Sequence, residues 1–264
     1  RGSVHYLSIA VQQGHYGQGG NMPPVGFVEA RDLDIDEDGH FEIQLSRERQ
    51  EGNWLPLPEG RGTLIVRQTF LDRAGEQRAE LKLECTGAPT TASLLDAEAV
   101  DAGLNAAGSL VNACAMIFPG WARGFEKHSN TLPRFDPNIA RAFGGDPNIA
   151  YYHSHWQLAP DEALVIEATP PDCDFWNFQL NNYWMESLDY RYFDVVINNH
   201  GARTRPDRSL RVVVAHEDPG CDNWLSTAGH TQGTMCWRWV RASEHPQPET
   251  RVVKLQALRE EATQ

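Results

Sequence analysis

Hydrophobic and polar positions alternate over short stretches along most of the chain, and turns rich in glycine and proline separate these stretches. Phe41, Ile43 and Leu45, for example, alternate with polar residues, which is the period of a strand with one buried face. Many short strands between such turns are typical of β-sandwiches and barrels. The pattern therefore predicts a mainly β protein. The expected strands include residues 80–85, 163–168, 175–180 and 210–215.

The same pattern of strand, turn and aromatic residue occurs twice. The first copy contains a strand at residues 39–46, Asn53-Trp54-Leu55, Gly62-Thr63 and Arg67. The second copy contains a strand at residues 209–216, Asn223-Trp224-Leu225, Gly233-Thr234 and Arg238. Because the spacing agrees to within one residue, we expect an internal repeat that forms two jelly-roll-like antiparallel β-sandwich units with a groove between them.

The strongest helical pattern lies between the two copies. Apolar residues recur there at intervals of four and three, which places them on one helix face: Val100, Leu104, Ala107, Val111, Cys114 and Phe118. Pro119 follows, and we expect it to end the helix because proline lacks a backbone N–H group. The predicted organisation is a first β unit at residues 1–90, a helical and loop connector at 91–150 and a second β unit at 151–264.

The pentapeptide Asp-Pro-Asn-Ile-Ala occurs at residues 136–140 and again at 146–150. Aspartate favours the N-cap of a helix, and proline favours the first helical position. Both copies are therefore expected to start short helices, although coincident turn chemistry also explains the repetition.

The repeated tryptophans and arginines have expected structural roles. Trp54 and Trp224 each follow a turn, where an indole closes the end of a sandwich and donates its N–H to a neighbouring carbonyl. Arg67 and Arg238 occupy equivalent strand positions. An inward arginine needs a carboxylate partner or an anionic ligand. An ion pair within each unit is the simpler expectation.

Charge limits the classes of partner. The chain has 36 acidic and 23 basic residues, a formal net charge of −13. This excess repels phosphate backbones and anionic lipids, so we expect no nucleic-acid or membrane partner. No apolar run reaches the roughly 18 to 20 residues that a membrane span needs.

Cysteine usage bears on the compartment. The chain has five cysteines, at positions 85, 114, 173, 221 and 236, and no Cys-x-x-Cys motif. An odd number without paired spacing favours free, buried thiols in a reducing compartment. The expected location is cytoplasmic.

The C-terminal hundred or so residues resemble a known bacterial family. The resemblance rests on residues 161–171, the run Phe175-Trp176-Asn177-Phe178-Gln179-Leu180, Asn223-Trp224-Leu225 and Gly233-Thr234. Together they resemble domain of unknown function 1214, which is often joined to domain of unknown function 1254. Residues 52–58 also resemble the sequence of this family, which indicates that the first unit is related to it. The resemblance implies a β-sandwich fold and no particular reaction, and members are typically longer at the N-terminus.

Residues 175–192 are the richest in candidate binding groups. Strand alternation places Asn177, Gln179 and Asn181 on one face, beside Tyr183 and Trp184 in the sequence. Amides supply paired donors and acceptors, and aromatic rings offer flat apolar surface, which suits a sugar-like or other polar organic ligand. When the strand at residues 175–180 is laid on residues 4–9 of the first copy, Tyr6 matches Asn177. The alternative is that these amides satisfy sheet edges and loops.

Candidate catalytic groups lie in the same stretch. Glu186 and Asp189 are carboxylates in an aromatic setting, where separated pKa values would divide acid and base roles, and His216 is a candidate helper. The alternative is a solvated loop in which Asp189 pairs with Arg191. The sequence contains neither a Gly-x-Ser-x-Gly nucleophile elbow nor a P-loop.

His153 and His155 form the one metal-like motif. Alternate histidines on a strand project from one face and can chelate a divalent metal. The main expectation is a polar strand without a cofactor, because no spacing demands a third ligand, and a divalent metal is the alternative.

Two functions stay open. In the first, a double β-sandwich binds a small polar or aromatic organic molecule and hydrolyses or lyses it with the paired carboxylates. In the second, the protein is a non-catalytic binding or assembly module. Its aromatic face then packs on a missing N-terminal segment or on another subunit of a homo-oligomer.

Overall fold

The computed structural model describes residues 2–16, 21–87 and 96–263. The chain forms two compact units. Unit 1 comprises Arg1–Ala115 and Arg141–Gly144, and unit 2 comprises Met116–Ala140 and Gly145–Gln264. The predicted boundary between residues 90 and 91 lies outside the described residues.

Unit 1 contains two small sheets. Strands β1 (Tyr6–Gln13), β2 (Pro24–Glu29) and β5 (Gly62–Thr69) form an antiparallel sheet in the order β2-β1-β5, and β3 (Gln44–Ser46) and β4 (Trp54–Pro56) form a parallel pair. Ile9 and Val11 of β1 are buried in one cluster with Leu55 of β4, so both sheets contribute to a shared core. The predicted strand at residues 80–85 does not form.

Helix α1 (Ala97–Phe125) connects the units, and the division between them falls within it. The prediction that Pro119 ends this helix is wrong. A proline inside a helix removes one backbone hydrogen bond, here the one that the carbonyl of Ala115 would accept. The turn that follows Pro119 is held by packing instead, because Ala122 and Phe125 are buried.

The segment Ala97–His128 is the one described helix that is long and apolar enough to cross a membrane. Only 6% of its most apolar window is buried. The sequence predicted no membrane span here, because no apolar run reaches the required length. Length and composition alone are weak evidence for a membrane, and the absence of a membrane partner stays a prediction.

Unit 2 contains two four-stranded sheets. Its strands are β6 (Ile149–Gln157), β7 (Glu162–Ala168), β8 (Phe175–Asn181), β9 (Val196–Asn198), β10 (Leu210–Ala215), β11 (Trp224–Ser226), β12 (Gln232–Val240) and β13 (Glu249–Lys254). They are arranged as β11-β10-β7-β13 and β6-β12-β8-β9, and all pairs except β10–β11 are antiparallel. The two short helices are α2 (Pro137–Ala142), whose last two residues belong to unit 1, and α3 (Leu255–Ala262) in unit 2.

Large side chains from both sheets of unit 2 share one core. Ile166 and Val214 come from one sheet, and Trp156 and Trp237 come from the other. Trp237 also stacks on Trp176 with ring centroids 5.1 Å apart. This shared core makes the two sheets a face-to-face pair. The predicted mainly β fold with antiparallel sheets and a helical connector is confirmed, and the jelly-roll arrangement stays a prediction.

The pairing pattern of β1–β5 matches that of β8–β12. Strand β1 pairs antiparallel with β2 and β5, as β8 does with β9 and β12. Strands β3 and β4 run parallel, as do β10 and β11. The two series therefore have the same order, partners and directions.

Equivalent asparagines hold the parallel pair in each unit. The Nδ2 group of Asn53 donates to the carbonyls of Asp34 at 2.8 Å and Glu42 at 3.1 Å, and its Oδ1 accepts the N–H of Asp34 at 2.8 Å.

In unit 2, Asn223 makes the same three bonds. It donates to the carbonyls of Arg203 at 2.8 Å and Arg211 at 2.9 Å, and it accepts the N–H of Arg203 at 2.8 Å. The repeated Asn-Trp pairs thus have equivalent local surroundings.

The tryptophans that follow these asparagines are half-buried. Trp224 donates its indole N–H to the carbonyl of Ala215 at 3.2 Å. Trp54 donates to the hydroxyl of Ser46 at 2.9 Å rather than to a carbonyl. Both indoles bond to the strand beside them, in agreement with the expected structural role.

Candidate functional site

The outer face of the sheet β6-β12-β8-β9 carries a group of polar and ionisable side chains. We call this surface the polar face. Its residues are Tyr151, His153, His155, Asn177, Gln179, Asn181, Thr234, Cys236 and Arg238. Alternate residues of the same strands, such as Phe178 and Trp237, point into the core. The predicted amide row lies on this face, as expected.

Arg238 is the cation at one end of the polar face, between Tyr151 and Asn177 of the neighbouring strands. Its Nη1 donates to Gln179 Oε1 at 2.9 Å, and its guanidinium lies 5.9 Å from the ring centroid of Tyr151. Gln179 in turn donates a hydrogen bond from its Nε2 to Asn181 Oδ1 at 2.6 Å. The side chain is half-buried, and no carboxylate among the described residues forms an ion pair with it. The predicted ion pair within unit 2 is therefore absent.

Asn177 lies directly opposite Arg238 in the β8–β12 pairing. Its Oδ1 is buried and has no hydrogen-bond partner. An unsatisfied buried polar atom costs about 1–3 kcal/mol. The polar face thus combines a half-buried cation without a counter-ion and an amide with unused hydrogen-bonding capacity.

His153 is enclosed by aromatic rings on the same face. It stacks between Phe125 and Tyr151, at centroid distances of 5.7 and 5.6 Å, and the ring of Phe135 meets it edge-on at 5.3 Å. Burial and the positive charge of Arg238 lower the pKa of His153 to about 3. This imidazole is therefore neutral at physiological pH.

Cys236 lies beside His153, with Sγ 3.9 Å from Nε2. The pair resembles a Cys-His nucleophile in composition but not in electrostatics. Burial raises the pKa of the Cys236 thiol, whereas a nucleophilic cysteine needs a lowered one. The arrangement is a neutral thiol beside a neutral imidazole.

His155 and Tyr183 form one border of the polar face. Ser129 Oγ lies 2.8 Å from His155 Nδ1, and the ring of Tyr183 meets the imidazole edge-on at 6.2 Å. Tyr183 donates its hydroxyl to Glu126 Oε1 at 2.6 Å, and this bond raises the pKa of the phenol. Burial lowers the pKa of His155, against the opposing effects of Glu126 and Gln232.

The two metal-ligand candidates, His153 and His155, do lie on one face as predicted. No group of three or more His, Cys, Asp or Glu side chains suited to a metal ion occurs in the parts of the chain that the structure describes. A metal held by these two histidines stays a prediction.

The three proposed catalytic groups each have a partner of their own. Glu186 accepts a hydrogen bond from Asn182 Nδ2 at 2.7 Å. Asp189 forms two 2.9 Å bonds with Arg191, which lower the pKa of this exposed carboxyl.

His216 Nδ1 lies 2.8 Å from Thr227 Oγ1, and its Nε2 lies 3.3 Å from the carbonyl of Leu158. None of these contacts joins the histidine to either carboxylate. For Asp189, the geometry is that of the alternative reading, a solvated loop with an Arg191 ion pair.

A separate cavity of about 480 Å³ lies beside β9 and β11. Asp194, Asp218, Asp222 and Arg203 contribute its charged lining, and Arg203 pairs with Asp222 at 3.4 Å. Cys221 also lines it, and burial raises the pKa of that thiol. No motif in the sequence predicted this cavity.

The counterpart of the polar face in unit 1 lies on β1 and β5. Arg67 stands opposite Ser8 there, as Arg238 stands opposite Asn177. The strand pairing therefore matches Ser8, and not Tyr6, to Asn177, and the predicted match was wrong by two residues. Tyr6 is buried in β1 and belongs to unit 1.

Arg67 also lacks an ion pair with any carboxylate in the described parts of the chain. Its Nη2 donates to the carbonyl of Gly144, and its buried Nη1 has no partner. An arginine without a counter-ion thus occurs at the equivalent position of both units.

Comparisons with known proteins give a family but no activity. Residues 19–69 match the family described as Protein of unknown function (DUF1214). The crystal structure of an uncharacterized protein from Burkholderia cenocepacia is 50% identical, with a TM-score of 0.93 over 97% of this chain and 72% of that chain. The chain belongs to the same family as the Burkholderia protein.

Other comparisons add little to this family assignment. A crystal structure from Vibrio parahaemolyticus is 11% identical, with a TM-score of 0.47 over 94% of this chain and 82% of that chain. No curated protein matches the chain.

The DUF1214 match lies in unit 1 and includes Asn53-Trp54-Leu55, whereas the sequence resemblance rested mainly on unit 2. It supports the resemblance to this family, and the pairing with domain of unknown function 1254 stays a prediction.

Proposed function

We propose that the polar face of unit 2 binds a small polar organic molecule that carries an oxyanion such as a carboxylate. The observation that carries this proposal is the half-buried guanidinium of Arg238, which donates to Gln179 and forms no ion pair with a carboxylate of residues 2–16, 21–87 or 96–263. A cation held out of water needs a counter-charge, and guanidinium groups bind carboxylates through paired hydrogen bonds. The neighbouring Asn177, Gln179 and Asn181 supply further donors and acceptors.

Aromatic side chains beside Arg238 fit the organic part of such a molecule. Tyr151 lies under the guanidinium, and Tyr183 stands at the other border of the polar face. A few polar groups among flat apolar surfaces are typical of small-molecule sites. Trp184, the next residue along the chain, is 55% exposed.

The test is a titration of the protein with small carboxylates and with inorganic phosphate, followed by calorimetry. Arg238→Gln should weaken binding roughly 10- to 100-fold, because a hydrogen bond to a charged group contributes about 1.5–3 kcal/mol. Arg205→Gln is the matched control, since it removes an exposed arginine that already pairs with Glu167. Equal affinities for the wild type and Arg238→Gln would refute the proposal.

The duplicated architecture forms part of the same proposal. We infer that β1–β5 and β8–β12 are copies of one jelly-roll-like unit. The matching strand order, the paired asparagine bonds and the two arginines without counter-ions support this inference. The chain is proposed to work in the cytoplasm, in line with its five free cysteines.

Bond cleavage by Glu186 and Asp189 receives no support from the contacts of these residues. The proposal therefore covers binding, and hydrolysis or lysis stays an untested prediction. Once a ligand is known, its turnover should be compared in the wild type, Glu186→Gln and Asp189→Asn. Loss of turnover with unchanged binding would establish the catalytic roles.

An assembly function is the second candidate, and exposed aromatic residues favour it. Trp184, Tyr190, Tyr192 and Phe193 are all exposed, and Tyr192 is 77% exposed. Exposed aromatic residues are typical of interaction sites where they form a contiguous patch. Sedimentation velocity of the wild type and of Trp184→Ser with Tyr192→Ser tests this candidate. Self-association that the double variant abolishes would support it.

A further inference from the structure

Strands β1 and β5 of unit 1 repeat part of the residue pattern of the polar face. Arg67 lies opposite Ser8 in the pairing of these strands. Thr63 lies opposite Gln12 in the same pairing, four residues farther along each strand and therefore on the same face. Their counterparts in the pairing of β8 with β12 are, in the same order, Arg238, Asn177, Thr234 and Asn181. Each unit thus has an arginine and a threonine on one strand and an amide opposite the threonine.

Two polar side-chain atoms of this pattern in unit 1 are buried and have no hydrogen-bond partner. One is Nη1 of Arg67, and the other is Oε1 of Gln12. Gln12 is only 1% exposed. A polar atom that is held away from water without a partner is costly. A hydrogen-bond donor and an acceptor therefore stay unused on one face of one sheet.

The side chains of Arg67 and Gln12 end beside the same residue, Gly144. Nη2 of Arg67 donates to the carbonyl of Gly144. A Cβ atom placed on Gly144 would lie 4.0 Å from Cδ of Gln12. On this face the two strands carry only Ala10 and Ile65 between the arginine and the amide, so no polar side chain of β1 or β5 separates them. The guanidinium and the amide are therefore placed to contact one small ligand together.

Residues 141–144 enclose this part of unit 1. They belong to unit 1 by their contacts, although the neighbouring residues on both sides belong to unit 2. Tyr16 donates its hydroxyl to the carbonyl of Phe143 at 3.3 Å. Burial raises the pKa of Tyr16 against the opposing effect of the Arg67 charge, so the guanidinium is also near this phenol. A ligand that reaches two buried atoms in such a place is small.

The buried carboxylate in the same row of the sheet has a cation of its own. Glu29 lies opposite Ser8 on β2, one strand farther from Arg67. Its Oε2 lies 3.5 Å from Nε of Arg31. No ion pair joins Glu29 to Arg67 in the parts of the chain that the structure describes. The Arg67 guanidinium therefore keeps a charge that an anionic ligand neutralises.

We propose that Arg67 and Gln12 form a second binding site, in unit 1, for a small oxyanion that also carries a hydroxyl group, of the hydrogencarbonate type. Its charged oxygen accepts hydrogen bonds from the guanidinium, and its hydroxyl donates to Oε1 of Gln12. Both buried atoms then have partners. The site goes beyond the function proposed for the polar face, because Arg67 and Arg238 lie in different units.

The test is thermal unfolding in degassed buffer with sodium hydrogencarbonate, sodium formate or sodium chloride at equal ionic strength. Hydrogencarbonate at about ten times its dissociation constant should raise the Tm by about 3–6 °C relative to chloride. Formate should raise it less, because it has no hydroxyl group. The same rise is expected in Arg238→Gln, in which the cation of the polar face is removed.

Two variants separate the roles of the two side chains. Gln12→Met removes the amide acceptor and should reduce the effect of hydrogencarbonate to that of formate. Arg67→Met should abolish the effect of both anions, while its Tm in chloride stays at or above that of the wild type. Arg205→Gln is the matched control, since this exposed arginine already pairs with Glu167, and it should respond like the wild type.

Three results would overturn the proposal. The first is a Tm that hydrogencarbonate raises no more than chloride does. The second is a rise that Arg67→Met keeps and Arg238→Gln loses, which would assign the ion to the polar face and leave the function proposed there intact. The third comes from wild-type crystals soaked in hydrogencarbonate, where a water molecule alone between Arg67 and Gln12 would contradict the proposal and a planar ion in contact with both would support it.

Discussion

The hydrogen bonds of Asn53 and Asn223 allow a quantitative test of whether the two units are equivalent. Asn223 makes three side-chain hydrogen bonds to backbone groups, at 2.8 to 2.9 Å, and Asn53 makes three at 2.8 to 3.1 Å. At roughly 1 kcal/mol per bond, Asn→Ala at either site should cost about 3 kcal/mol of unfolding free energy. The two sites differ in backbone conformation, because Asn223 has a φ of +57° and Asn53 has no positive φ.

This difference predicts opposite effects of glycine at the two sites. A positive φ costs a residue with a Cβ about 1–2 kcal/mol, and glycine avoids that cost. Asn223→Gly should therefore destabilise less than Asn223→Ala, whereas Asn53→Gly should destabilise at least as much as Asn53→Ala.

Urea denaturation followed by tryptophan fluorescence measures these changes. Exposed Asn138, with no side-chain hydrogen bond described, is the control, and Asn138→Ala should cost less than 0.5 kcal/mol, as surface substitutions usually do. If both alanine variants lose less than roughly 1 kcal/mol of unfolding free energy, these asparagine hydrogen bonds do not stabilise the parallel strand pairs. A large loss at one site alone would refute the equivalence of the two units.

Three further predictions concern individual groups. The His153 ring should stay neutral in an NMR titration down to about pH 4, because its pKa is lowered to about 3. Because this folded-state pKa lies below the unfolded value of about 6.5, its contribution to stability is present above pH 6.5 and is lost as the pH falls toward 3. His153→Phe should remove that part of the pH dependence, and an unchanged profile would contradict it. Exposed Cys85 should react with a thiol reagent well before buried Cys236, and the reverse order would show that the buried thiol is accessible. Arg67→Met should leave stability unchanged or raise it, because it removes a half-buried charge that has no ion pair among the described residues, and a loss above about 3 kcal/mol in thermal unfolding would contradict this.

The sequence located the strands of unit 2 well, because their apolar runs are buried on both faces or alternate clearly. The predicted strands at 163–168, 175–180 and 210–215 agree to within one residue with β7, β8 and β10. The expected strand at 80–85 does not form, and Leu83 there is 73% exposed. An apolar alternation forms a strand only where a neighbouring strand can pair with it.

The repeated Asp-Pro-Asn-Ile-Ala shows that the local sequence does not decide between helix and strand at these positions. In both copies the aspartate carboxylate accepts the N–H of the asparagine two residues on, at 2.7 Å from Asp136 and 2.9 Å from Asp146. The first copy continues into α2 as predicted. The second does not, because Ile149 pairs with Val240 and begins β6. Tertiary pairing therefore decides between helix and strand after the same turn.

The candidate site was only partly visible in the sequence. Strand alternation predicted the amide row at Asn177, Gln179 and Asn181 correctly. The missing counter-ion of Arg238 could not be predicted, because it depends on which side chains from distant segments reach the polar face. The aromatic rings around His153 were not predicted either, because Phe125 and Phe135 come from distant segments, α1 and the segment before α2.

The central claim is that Arg238 receives the oxyanion of a small ligand. A crystal structure of the protein soaked with the tightest-binding small carboxylate from the titration tests it most directly. The account predicts density for the carboxylate within hydrogen-bond distance of Arg238, with Asn177 as a second contact. A structure in which a carboxylate of the protein pairs with Arg238, while the ligand lies elsewhere, would contradict it.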